Sequence, residues 1–177
     1  MDHDHASPVI SDAAASARAI EPEQLNSERI LQRFGSYGIE ILEQDASVRR
    51  SNLFSTEADT RTCRTYAVVR FAGGYHDDIA DAHTAVVSGR SIGSTFRESG
   101  WSVDKRTVFI GSIPATEAKP EVSHLMRLPS PQILGKHVYE LILERGVQSL
   151  QYATIVELHH PDYLSEKELR ELYGQSD

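Results

Sequence analysis

The chain has 177 residues, of which 40% are hydrophobic and 25% charged, and a net charge of −8. This composition is globular, and the length suits one domain of ordinary size with a tail. The acidic balance argues against broad phosphate-backbone binding, because nucleic-acid domains show a basic face, so no nucleic-acid partner is expected. It also means that an anionic ligand must be held by local arginines against an unfavourable overall field.

Cys63 is the only cysteine. No internal disulfide can form, which fits a reducing, cytoplasmic compartment. No apolar run approaches the roughly 18 residues of a membrane span. The start of the chain lacks the basic residues and apolar run of a secretory signal.

Residues 1–23 are polar, alanine-rich and aperiodic, and read as a disordered tail ahead of a single α+β domain over 24–177. Asn26 or Ser27 can cap a short helix through Phe34, with Ile30, Leu31 and Phe34 on its apolar face. Tyr37–Gln44, Val48–Ser55 and Thr62–Phe71 read as three strands, the last marked by Tyr66, Val68 and Val69. Asp77–Val87 and Ile92–Ser99 are helical in spacing, and Trp101–Ile113 carries a further strand or two. Pro114–Pro120 is read as loop.

Lys136–Glu144 fits either a helix or a strand. Because it leads through Arg145-Gly146 into the alternating run Leu150–His159, a β-hairpin with Gly146 in its turn is the expectation. At the end, Ser165 and Glu168 have capping-box spacing, with Leu164 and Leu169 placed as a hydrophobic staple, so a helix is predicted from about Glu166 to Tyr173. The fold class expected is a mostly antiparallel sheet with helices on one face.

Several short segments, taken in order, resemble the chorismate pyruvate-lyase family, whose fold is shared with the effector-binding domains of GntR-type transcription regulators. Ser27–Phe34 followed by Gly38–Leu42 resembles the family's first helix and strand. Val48-Arg49-Arg50-Ser51-Asn52-Leu53 resembles the strand that carries an arginine for a substrate carboxylate, and Arg64-Thr65 before Ala67-Val68-Val69 resembles the next strand. Gly89-Arg90-Ser91-Ile92-Gly93 with Phe96 resembles a Gly-x-x-x-Gly and aromatic that follow the central helix. Thr154-Ile155-Val156-Glu157-Leu158 with Pro161 resembles the last strand, where a glutamate precedes a proline. His159-His160 lies outside that pattern.

The resemblance implies elimination of pyruvate from chorismate to leave 4-hydroxybenzoate, driven by aromatisation and needing no metal or organic cofactor. It implies that Arg49 and Arg64 hold the substrate and that Glu157 manages the proton. From the residues alone, Arg49 suits bidentate carboxylate capture, but Arg50 has an equal claim, and strand parity sends the two to opposite faces. Arg64 can serve a second carboxylate or an edge salt bridge. Glu157 stands in an apolar strand, on one face with Ala153, Ile155 and His159. If that face lines a pocket, desolvation would raise its pKa and suit it to general acid work; on an outward face of a half-exposed strand it is a solvated glutamate.

Two other readings stay open. One is a non-catalytic module of the same fold that binds a small-molecule effector; the region before Ser27 is too short for a winged-helix DNA-binding domain. The other is a metal-dependent enzyme built on His159, His160 and a carboxylate such as Glu157 or Asp162.

Overall fold

The computed structural model describes residues 24–75 and 77–174. The expected tail, residues 1–23, lies outside them. The architecture is α+β: one six-stranded, wholly antiparallel sheet with helices packed on it. In chain order the elements are α1 (Asn26–Phe34), β1 (Gly38–Gln44), β2 (Val48–Glu57), β3 (Thr60–Phe71), α2 (Ala80–Val87), α3 (Ile92–Glu98), β4 (Ser102–Pro114), α4 (Pro120–Leu125), β5 (Ile133–Arg145), β6 (Gln148–His159) and α5 (Glu166–Tyr173). The spatial order is β1-β2-β3-β6-β5-β4, so the sheet's two halves are joined where β6 returns to lie beside β3.

Local chemistry accounts for the connections. The Asp45 carboxylate accepts from the backbone N–H groups of Ser47 and Val48 and closes the β1–β2 turn. Ala58 and Asp59, both at positive φ, form the two-residue link between β2 and β3. Gly146, at φ 60°, sits in the β5–β6 hairpin as its sequence predicts. At α5 the Ser165 hydroxyl accepts from Glu168 N–H while Glu168 reaches back to Ser165 N–H, the full capping box.

The sheet has two differently covered faces. On the front, Ile79 just ahead of α2, Val86 of α2 and Phe96 of α3 pack against Val69, Leu141, Tyr152 and Ile155. Beside them Ile30 of α1 and Leu169 and Leu172 of α5 pack with Ile110 and Tyr163. The helices at 77–99 thus cover one face, as expected. The back face is not bare, however. There α4, which begins where the expected Pro114–Pro120 loop ends and for which the sequence gives no helical signal, packs Val122 with the following Met126 on Tyr66, Leu134 and Leu158. Its six residues, opened by Pro120 at the first turn, are too few to show a helical period. Arg50 pins it, donating to Tyr66 and pairing with Glu43 and with Glu121 of α4.

Gly135 of β5 lies directly under the chain that enters α5. A Cβ there would stand 2.4 Å from the Leu164 carbonyl oxygen, a backbone atom that cannot swing aside. Gly135→Ala is therefore expected to destabilise the protein by about 1–3 kcal/mol, read as a lowered urea midpoint with unchanged slope. A variant as stable as the parent would show that α5 is not seated so tightly.

Candidate functional site

Between the two front-face clusters the sheet carries a polar strip with a cavity over it, of about 90 Å³. One ordered water needs roughly 10–15 Å³ on this measure, so the space suits a small organic molecule. The floor comes from four neighbouring strands: Arg49, Ser51 and Leu53 of β2, Ala67 and Val69 of β3, Ile155 and Glu157 of β6, and Tyr139 and Leu141 of β5. Lys105 of β4 closes one side. The start of α1, at Asn26, and the start of α3, at Ile92 and Gly93, form the rest of the wall.

Arg49 is 1% exposed. Its Nη1 donates to the carbonyls of Val86 and Arg90 at 3.3 and 2.9 Å, which ties the α2–α3 connection to the sheet. Among the described residues no carboxylate pairs with it. Burial lowers its pKa, partly opposed by Tyr37 and Tyr152 nearby, but a guanidinium remains cationic at neutral pH. Arg50, its rival in the sequence, is on the back face, in the pairing with Glu43 and Glu121.

Glu157 is 5% exposed and lines the same cavity. Tyr139 donates its hydroxyl to Oε1 at 2.8 Å, and His159 Nε2 stands 3.3 Å from Oε2. Burial pushes the carboxyl's pKa up, but Lys105 and then His159 outweigh it, so Glu157 is held below the usual carboxylate range. This corrects the expectation that desolvation would raise it. At neutral pH the carboxylate is ionised, and its chemistry is that of a base.

Arg64 is placed elsewhere. It is on the front face but does not line the cavity. Its Nε donates to Ser55 at 2.8 Å, its guanidinium covers the Phe34 ring at 3.8 Å, and Glu57 is 3.8 Å away. Arg49 and Ser55 are six residues apart on β2, about 20 Å at strand rise. The structure thus brings Arg49 and Glu157 to one cavity and leaves Arg64 at the far end of α1.

The histidine pair is likewise divided. His159 Nδ1 contacts the Thr65 hydroxyl at 2.8 Å on the front, whereas His160 lies past the strand end, with Nε2 at the Met126 carbonyl and Nδ1 accepting from Asp162 N–H. Among the described residues no three His, Cys, Asp or Glu side chains converge as metal ligands. Lys105, Tyr139 and Asn26 are cavity residues that the sequence did not single out. Lys105 falls between Asp104 and Arg106 and reads as part of a solvated charge run; its alternation with Val103 was the available signal. No described helix is long and apolar enough to cross a membrane. Compared with known proteins, the chain matches no family model, no curated relative and no solved structure.

The histidines give a pH dependence. Burial first of all brings His137 from 6.5 down to about 4, and burial also lowers His159. The unfolded chain therefore takes up protons at these rings below about pH 6.5, while folded His137 stays neutral until about 4. Stability should fall across that window as pH drops, by about 3 kcal/mol from His137 alone. Glu157, with its depressed folded pKa, adds loss only once the ordinary carboxylate range is entered. Urea unfolding at several pH values should show the fall, and His137→Gln should flatten it. An equal slope in the variant would assign the effect to other groups.

Proposed function

We propose that the cavity binds a small cyclic carboxylate and that the chain is a carbon–oxygen lyase of the chorismate pyruvate-lyase kind. The observation that carries this reading is Arg49: a buried guanidinium on a cavity wall, without a carboxylate partner among the described residues. Burying a charge without a counterion is costly, and a ligand carboxylate would supply one with charge-assisted hydrogen bonds. Lys105 adds a second positive charge on the opposite side, and Leu53, Val69, Leu141 and Ile155 offer apolar surface to a ring. The segments around Arg49 and Glu157 are among those whose sequence resembles that family.

In this reading Glu157 works as a base first. Its carboxylate takes the hydrogen from the ring carbon next to the one bearing the enolpyruvyl ether. The electron pair forms the new ring double bond, the ring carbon–oxygen bond breaks, and the enolpyruvyl group departs as the enolate of pyruvate. Glu157 then returns the proton to the enolate carbon, giving pyruvate and an aromatic hydroxybenzoate. Aromatisation drives the step, and the protein's part is orientation and one proton.

A second reading, a non-catalytic effector-binding module, is favoured by one observation. Both Glu157 oxygens already have neighbours, Tyr139 and His159, as they would if the carboxylate served only to shape the cavity.

Incubating the purified chain with chorismate and following pyruvate and 4-hydroxybenzoate by chromatography separates the two. Turnover is expected, and chelator treatment should leave it unchanged. Arg49→Ala should weaken binding by roughly 2–5 kcal/mol. Glu157→Gln should bind normally and turn over about a hundredfold more slowly or worse. Binding that depends on Arg49 with no pyruvate released would establish the sensor reading. If chorismate and simple aromatic carboxylates all fail to bind in calorimetry, both readings fall.

A further inference from the structure

The cavity's carboxylate stands at the end of a file of buried polar side chains. The Arg29 guanidinium of α1 lies near the Tyr163 hydroxyl and partly opposes the effect of burial on it. That hydroxyl is bonded to Asn26 Oδ1. Asn26 Nδ2 donates to Thr65 Oγ1 at 3.1 Å, Thr65 Oγ1 contacts His159 Nδ1 at 2.8 Å, and His159 Nε2 lies 3.3 Å from Glu157 Oε2. Asn26, Thr65 and His159 are all buried.

The file has a direction because its first member has one. A guanidinium carries only N–H groups, so the Tyr163 oxygen turns its lone pairs toward Arg29 and its hydrogen toward Asn26, where both Oδ1 and the backbone carbonyl are within reach. An amide oxygen that accepts from Tyr163 leaves the amide nitrogen facing Thr65, where it donates. The Thr65 oxygen is then occupied as an acceptor on that side, and its own hydrogen is free for His159 Nδ1. A neutral imidazole that accepts at Nδ1 carries its proton on Nε2. The Glu157 carboxylate stands 3.3 Å from that nitrogen, off the line of a full hydrogen bond, so the pair is an electrostatic contact. With every link reversed, a bare imidazole nitrogen would face the carboxylate, and Arg29 would meet a donor.

We propose that His159 is the positioning residue for the Glu157 carboxylate, locked in its Nε2–H tautomer by this one-way chain from Arg29; the proposal rests on Glu157 being the cavity's reactive group. His159 then brings the positive end of its Nε2–H dipole near Glu157 in a dry site, and together with Tyr139 it favours the carboxylate's ionised form. Two links of the chain, Asn26 and Glu157, line the cavity. The seating of α1 on the sheet and the state of the carboxylate are therefore coupled through Thr65. The other groups around Glu157 are Lys105 from β4, His137 and Tyr139 from β5, and Tyr163 and Tyr173 beside and on α5.

Nitrogen NMR of the full chain with labelled histidine tests this directly, with the His159 ring identified by its loss in His159→Gln. Near neutral pH the ring should be protonated at Nε2 and bare at Nδ1. Thr65→Val keeps the shape and removes the donor, so it should admit the Nδ1–H form. It should also raise the Glu157 carboxyl midpoint, read from labelled glutamate carbon and identified by Glu157→Gln, by about one pH unit or more, a tenfold change in ionisation. Thr65→Ser should restore both signals. An Nδ1–H ring in the parent protein overturns the proposal, and this needs no variant to fold. So does a Thr65→Val protein in which neither signal moves. Neither signal depends on turnover. Absence of pyruvate release would end the lyase reading and leave the tautomer standing, while the wrong tautomer in a protein that does release pyruvate would end only the role of His159.

Discussion

Glu157 lies on β6, near the middle of the six-stranded sheet, where its carboxylate is shut off from water. An isolated charge in such a place costs several kcal/mol, and the surrounding structure must offset it with donors or cations. Much of the front face follows from that requirement. Tyr139 from the neighbouring strand supplies a donor, His159 two residues on brings its Nε2 to 3.3 Å, and Lys105 supplies positive charge from the next strand but one. These groups interrupt what would otherwise be one continuous apolar layer. The front core is accordingly split into the cluster under α2 and α3 and the cluster under α1 and α5. The cavity occupies the gap, so the polar strip is also the reason that there is a place for a ligand.

Arg49 links this strip to the covering helices. By donating to the carbonyls of Val86 and Arg90 it satisfies backbone groups at the end of α2 and in the turn into α3. The same side chain thus holds down one wall of the cavity and presents charge to its interior. A guanidinium suits both tasks because its donors point in several fixed directions, and Nη1 alone serves the carbonyls. A lysine there would have one nitrogen for everything. This shared duty means that loss of Arg49 touches the α2–α3 connection as well as any ligand, and the effects are separable only by measuring stability beside binding.

Most of the sheet was legible because its strands obey a simple period. The run Tyr66–Val69 and the alternation of Leu150–His159 left little choice about β3 and β6, the Gly146 turn tipped the ambiguous Lys136–Glu144 toward the strand β5, and the capping box announced α5. What stayed hidden depends on contacts distant in the chain. Helix α4 has no period to show, and its place is set by Arg50 reaching Glu121, 71 positions away. The polarity of the site was half visible. Glu157 stands out because charge is unexpected in an apolar strand, whereas Arg49 shared its claim with Arg50, and the direction of the Glu157 pKa shift was not readable. Burial was foreseeable from its neighbours in sequence; Lys105 and Tyr139, which accompany it, are neighbours only in the folded sheet.

The position of Arg64 shows how far strand parity can be carried. Counting along β3, Arg64 should face away from Thr65 and Ala67, while Cys63 should share their side. The pairing with β2 breaks that count: Leu53 is opposite Thr65, yet Phe54 is opposite Cys63. The extra residue is a bulge, and it turns Arg64 to the front beside Thr65. Ser55 and Phe34 therefore receive the Arg64 side chain, and Cys63 joins Tyr66 and Leu158 in the back core. Thr65 remains in register with His159 across the sheet, which the hydrogen bond between them requires. One inserted residue thus settles three matters that no local pattern records: the cysteine's burial on the back face, the arginine's distance from the cavity, and the alignment of the threonine that fixes the imidazole beside Glu157.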